Sequence, residues 1–255
     1  MRVGIFDPYL DDLGGGEKYM ITLAQCLSQN NYVTVFWDKE GDLKKVAERF
    51  SLDISKIELK NNIFSSSYPF LKRCLESLNY DAIVVLSDGS IPFVLSKKLF
   101  IHFQQPFPSV RLSLKTIFKK IRVTSFFCNS YFTKSFVDKE FKIDSKVLYP
   151  PINTKTKIFK KDNIILHVGR FRVINVRSDD YKKQETMIDT FKKMVDEGIK
   201  DWKLILAVGL REDDEFKFIN LQKKAKGYPI EFLINLNNDE LSNVYSRSKI
   251  YWHAS

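Results

Sequence analysis

The chain has 255 residues, 44% hydrophobic and 28% charged, an ordinary composition for a globular protein with core enough for one large or two modest domains. Forty-one Lys and Arg against 31 Asp and Glu leave a net charge of +10, which admits acidic partners such as nucleotides, anionic lipid or nucleic acid. Residues 1–155 hold 22 basic and 16 acidic side chains and the rest 19 and 15, so the excess is no single basic tail. Cys26, Cys74 and Cys128 are odd in number and lack metal-like spacing, which disfavours a disulfide framework and suits a reducing cytoplasm. The opening MRVGIFDPYLDD is no signal peptide, and no apolar run approaches the ~20 residues that span a bilayer. Any membrane contact is peripheral.

Residues 2–6 predict a first buried strand, followed by a loop from Asp7 to Leu13 and a helix through about residue 29. Gly14, Gly15 and Gly16 open that helix, where free N–H groups and the dipole favour an anion. The spacing is not G-x-G-x-x-G, and an ordinary flexible turn is the alternative. Strands follow at 32–37, 57–59 and 81–87, with helices at 42–50 and 69–78 between them. The strand at 98–103 ends on His102, beside a Pro-containing loop, where a histidine is either a hydrogen-bonded structural residue or a site residue. Residues 110–122 form a basic amphipathic helix, read as a surface for anionic lipid or as a sheet-covering helix with a cationic outer face. A strand at 125–130 and a helix at 131–141 precede 146–152, where two prolines favour extended backbone at an interdomain hinge.

A second domain is expected from about Thr156. Its centre is residues 163–194, in which an apolar run ends at Gly169, Arg170 and Phe171. A polar loop leads to Lys182 and Lys183, then to a helix with Met187, Ile188, Phe191 and Met194 on one face. A guanidinium and an ammonium at a strand's carboxyl end suit a diphosphate, since Arg forks onto two oxygens and Lys acts as a point charge. The plainer alternative is that the lysines solvate a helix start. Strands at 202–208 and 230–233 and helices at 213–226 and 238–247 alternate as in a parallel α/β sheet, and residues 250–255 open another strand.

The pattern strand-GRF, loop, KKQ and amphipathic helix resembles the second domain of family-four retaining glycosyltransferases, which have the GT-B fold. The resemblance implies two Rossmann-like parallel-sheet domains facing a cleft, residues 1–155 on the acceptor side and 156–255 binding nucleotide sugar. It assigns the donor diphosphate to Arg170 and Lys183, with Lys182 as the neighbouring choice, and places Gly14, Gly15 and Gly16 at a GG-x-E-like turn facing the donor phosphates. His102 matches a histidine that lines the sugar and acceptor site, although IHFQQPF carries extra residues before the Pro. The segments NSYFTK (129–134) and 146–152 match the turn after a strand and the exit from the first domain. Ile234, Asn235 and Leu236, after the strand at 230–233, match a region that borders the base, while residues 210–212 stand at the carboxyl edge, where a nucleoside contact is expected from position alone. The Gly-rich turn and glutamate pair that follow the last strand in the family are not in this sequence, so the second domain is expected to be incomplete, with the truncation at its C-terminal end.

The implied activity is transfer of a sugar from a UDP- or GDP-sugar to a glycan, lipid-linked or other alcohol acceptor, with His102, Arg170 and Lys183 as the catalytic set. Synthesis of surface polysaccharide in the cytoplasm, at the inner face of the membrane, is the setting implied. No D-x-D-like pair stands at a strand end and Asp179-Asp180 lies in a loop, so no metal is implied; the nucleotide sugar is a co-substrate and there is no resident cofactor. Two alternatives remain: a nucleotide-sugar epimerase or phosphorylase-like enzyme of the same fold, and a basic non-enzymatic module. Nucleic acid is not expected, because no recognition helix, zinc spacing or aromatic RNA-binding signature is present.

Overall fold

A computed structural model describes residues 1–107, 114–152, 159–171 and 182–253. The start of the basic amphipathic helix at 110–113, Thr156, the Asp179-Asp180 loop and the last two residues lie outside them. The chain divides into two compact units, Met1–Ile152 and Asn153–Ser255.

In the first unit, β1 (Arg2–Phe6), β2 (Tyr32–Phe36), β3 (Ile57–Lys60), β4 (Ala82–Leu86), β5 (Lys98–Phe103), β6 (Ser125–Cys128) and β7 (Lys146–Val147) form one sheet in the order β3-β2-β1-β4-β5-β6-β7. Every pairing is parallel. Helices α1 (Gly15–Ser28), α2 (Glu40–Phe50), α3 (Phe70–Ser77), α4 (Leu114–Ile121) and α5 (Tyr131–Phe141) connect the strands. A parallel sheet is covered on both faces, so its strands read as continuous apolar runs; all five residues of β4 are buried. Ala82, Val84 and Leu86 join one core with Met20, Ile21 and Val46, while Ile83 and Val85 join the other with Ile101, Phe103 and Phe141.

The second unit holds β8 (Asp162–Arg170), β9 (Lys203–Gly209), β10 (Ile230–Ile234) and β11 (Ser248–Tyr251), again all parallel, in the order β10-β9-β8-β11. Its helices are α6 (Gln184–Asp196), α7 (Glu215–Ala225) and α8 (Asn238–Arg247). Local chemistry sets their ends. At α8, Asn237 accepts from the N–H groups of Asp239 and Glu240 while Glu240 accepts from Asn237 N–H at 2.9 Å, a reciprocal cap.

Two elements differ from the sequence expectation. Residues 146–152 were expected as an extended exit, but Lys146 and Val147 pair with Phe127 and Cys128 as a seventh strand. Two residues are too few to carry a period, so only the pairing reveals it. The sheet-covering reading of α4 also fails, because Ile117, Phe118 and Ile121 are 45%, 70% and 76% exposed. Amphipathicity defines a stripe, not the side to which it turns.

In both sheets the first strand lies between its successor and a later strand: β1 between β2 and β4, β8 between β9 and β11. The direction of travel across the sheet reverses there, leaving a crevice outside the carboxyl ends. The packing under β1 is tight. A Cβ at Gly4 would lie 2.6 Å from Phe36 Cε2 and 3.2 Å from Ile83 Cγ1. Gly4→Ala should therefore lower unfolding stability by about 1–3 kcal/mol through overpacking, read as a reduced urea midpoint at constant slope; an unchanged midpoint would contradict this packing.

Candidate functional site

In the first unit the carboxyl edge gathers Asp7 after β1, the Gly14–Gly16 turn, Asp88 after β4 and His102 in β5. Gly14 is the N-cap of α1, and its N–H donates to the buried Glu17 carboxylate. None of the three glycines takes a positive φ; the left-handed residue of this turn is Leu13, at φ 52°. Their smallness matters instead. A Cβ on Gly16 would sit 2.6 Å from Gln104 Oε1, whereas Gly15 faces open space.

His102 is the penultimate residue of β5 and wholly buried. Its ring is stacked between Tyr19 of α1 and Phe127 of β6, each at 4.5 Å between centroids. Nδ1 lies 3.3 Å from the Phe127 carbonyl oxygen, while Nε2 makes no hydrogen bond among the described residues. Burial pulls its pKa down to about 4, so the imidazole is neutral near pH 7 and Nδ1 carries the proton donated to Phe127. The hydrogen-bonded structural alternative describes this geometry: the ring braces α1 against β6.

Asp7 escaped the sequence reading, in which it was loop. It follows β1 directly, is 1% exposed, and accepts from Tyr9 N–H at 2.9 Å through Oδ1. Oδ2 is buried with no hydrogen-bond partner among the described residues. Burial first, and the neighbouring Glu17 carboxylate second, push the pKa up to about 7. The available signal was position, an aspartate ending a buried strand at a sheet's centre.

In the second unit, β8 runs through Arg170, which pairs with Gly209 of β9, and Phe171 N–H donates to Gly209 O at 2.9 Å. A Cβ on Gly169 would meet His167 Nε2 at 2.8 Å and Gln184 Nε2 at 3.7 Å. Gln184, the first residue of α6, is buried, and its Nε2 makes no hydrogen bond among the described residues. Lys183 before it is the left-handed N-cap, at φ 56° and ψ 26°, and is exposed; Lys182 is half-buried. Gly169 and Gln184 thus meet at the end of β8, with Arg170 following one and Lys183 preceding the other. This brings the expected cations to one strand end, at the helix N-terminus that favours an anion. Beyond β9 and β10, the Asn235 side chain bonds both ways with the Leu210 backbone, at 2.9 and 3.0 Å, and ties those loops together.

No protein-family pattern matches the sequence, and no curated protein matches it. Solved structures match it in fold. Anabaena Alr3699/HepE in complex with UDP and glucose aligns at a TM-score of 0.65 and 16% identity, over 100% of this chain and 74% of its own. A structure described as trehalose-6-phosphate from E. coli bound with UDP-2-fluoro glucose gives 0.57 and 9%, over 100% and 78%. The UDP-GlcNAc 2-epimerase from Neisseria meningitidis bound to UDP-GlcNAc gives 0.52 and 11%, over 98% and 76%. The chain has the GT-B fold. At such identities the likeness is one of fold alone, as one fold hosts many chemistries.

Asp7 gives the site a pH signature. Its ordinary carboxyl pKa is 3.8 and its native value about 7, so between those limits the native state keeps a proton that the unfolded state releases. The contribution of Asp7 to stability falls as pH rises through that window, and its cost is complete above it. Asp7→Asn removes the cost. Relative to the unsubstituted protein it should gain on the order of 3 kcal/mol between pH 4 and pH 8, measured by denaturant titration. Parallel profiles for the two proteins would mean that Asp7 is ionised in the native state.

Proposed function

We propose that the protein is a retaining glycosyltransferase that moves a sugar from a UDP- or GDP-sugar to an alcohol on a glycan or lipid-linked acceptor, at the cytoplasmic face of a membrane. What supports the reading is that Arg170 ends β8 and Lys183 precedes Gln184, whose Nε2 lies 3.7 Å from where a Cβ on Gly169 would stand. In this reading Arg170 and Lys183, with Lys182 beside them, hold the donor diphosphate and stabilise the charge that develops on it as the glycosidic bond breaks. Two fixed cations supply what a bridging metal would otherwise supply. At the start of α1 the Gly14 N–H is taken by Glu17, and the N–H groups of Gly15 and Gly16 are the first unit's candidate anion-binding element. His102, being enclosed, enters through Tyr19 on the same helix and holds that element in place.

One observation favours a second reading, a nucleotide-sugar epimerase. The Asp7 pKa, raised to about 7, lies near the operating pH, where a carboxyl can serve as a general acid. An epimerase interconverts its donor with no acceptor present, whereas a retaining transferase gives a new glycoside of unchanged anomeric configuration.

The test is thermal stability of the full chain with UDP, GDP, ADP or CMP, followed by NMR of the sugar product. One nucleotide should stabilise the protein by ~2.7 kcal/mol at a hundredfold excess over its Kd, and Arg170→Ala should abolish that gain. If none of the four stabilises the protein, the nucleotide-sugar reading fails. Inversion at the anomeric carbon would overturn retention, and acceptor-free conversion of the donor would favour the epimerase.

A further inference from the structure

The first unit exposes apolar side chains where helices ordinarily hide them. On α4, Ile117, Phe118 and Ile121 fall at i, i+1 and i+4, forming one stripe turned to solvent. Along α3 and its C-cap, Leu71, Leu75 and Leu78 are 74%, 65% and 54% exposed at the spacing i, i+4, i+7. The two helices share a cavity of about 440 Å³, to which α3 contributes Phe70 and Arg73 and α4 contributes Lys119. Arg73 stacks its guanidinium over Phe70 at 5.5 Å, and its Nε is buried with no hydrogen-bond partner among the described residues. Asp88 also lines the cavity, but its Oδ1 is taken by the Ser90 N–H and hydroxyl at 3.0 and 2.7 Å.

Charge identifies the occupant. From residue 89 to residue 137 the sequence has eight Lys and Arg and no Asp or Glu. Lys134 is spent on Asp138 and Asp144, and Lys120 on the Phe141 and Lys142 carbonyls. Lys119 stands at the cavity and Lys72 over the Tyr68 ring, both on the helices that carry the apolar stripes. A second copy of the protein docking through the same patch would oppose cations to cations. Nucleic acid would use the charge but leave the leucines and isoleucines in water. Only an anionic lipid surface meets both, with aliphatic and aromatic side chains entering at the headgroup boundary and cations meeting phosphate.

We propose that the α3–α4 face docks on an anionic lipid bilayer, with Arg73 and Lys119 receiving lipid phosphate at the cavity mouth. This deepens the reading of a lipid-linked acceptor, yet its test uses no nucleotide and so stands or fails separately. The full chain is incubated with vesicles of phosphatidylcholine, with or without phosphatidylglycerol, and the bound fraction is measured by sedimentation. Binding to the anionic vesicles should exceed binding to the neutral ones at least tenfold and should collapse in about 1 M salt, where the Debye length is about 3 Å. Lys119→Glu should weaken it by more than the roughly fivefold expected per cation near the surface. The double substitution Phe118→Ser and Ile121→Ser should release the protein without lowering its melting temperature, since both side chains are exposed. Equal partition to both vesicle types, or full binding by these variants, overturns the proposal. Tighter binding to RNA than to anionic vesicles would replace it with a nucleic-acid face. A concentration-dependent dimer dispersed by the double substitution, with no vesicle binding, would replace it with self-association.

Discussion

Burial of both faces of a parallel sheet is the constraint on which the rest of this protein depends. Strands such as Ala82–Leu86 have no solvent side on which to carry a polar group. Polar chemistry is therefore driven to the strand ends, and in each unit it collects where the direction of travel across the sheet reverses. Asp7 ends β1 and Asp88 follows β4, its neighbour across that reversal. Arg170 ends β8 in the same way. The candidate residues stand where they do because the apolar runs leave no other place for them.

Each unit also brings a glutamine amide against a glycine at this edge. Gln104 lies where a side chain on Gly16 would be, and Gln184 approaches the same space at Gly169, already bounded by His167. Neither the Gly14–Gly16 turn nor Gly169 takes a positive φ, which falls instead on the nearby Leu13 and Lys183. What the glycines provide is room for a neighbour. For Gly169 the close neighbour is His167, whose Nε2 would lie 2.8 Å from an added Cβ, while Gln184 stands at ordinary contact distance.

Legibility in the sequence follows from the range of the interactions involved. Apolar runs and helical periods are local, so among the described residues ten of the eleven strands and all eight α-helices stand where the sequence predicts them, to within a few residues. The reciprocal cap at Asn237 is local too. β7 was missed because two residues acquire meaning only beside Phe127 and Cys128. The side to which α4 turns was left open between two readings, because the periodicity is the same for a stripe facing in or out. At the site, Arg170, Lys182 and Lys183 could be found as cations at a strand end and a helix start. The left-handed conformation of Lys183 and the burial of Gln184 could not, since both arise from packing of α6 against β8. Asp7 was hidden for a similar reason: FDPYLDD has the composition of a loop, and only the folding of α1 over the sheet encloses its carboxyl group.

His102 and Asp7 are linked by a proton balance that neither shows alone. His102 is held neutral down to about pH 4 against an ordinary value of 6.5, so between those limits the unfolded state binds a proton that the native state does not. That contribution makes stability rise with pH. Asp7 does the reverse between 3.8 and about 7, since there the native state holds the extra proton. Over most of the range from pH 4 to pH 6.5 the two slopes are equal and opposite, and the pair adds almost nothing to the pH dependence of folding. Above that range only the cost of Asp7 grows, and below it both groups approach the same protonation in the native and unfolded states. Near neutral pH this sheet edge thus holds a neutral imidazole and a carboxyl that is about half protonated.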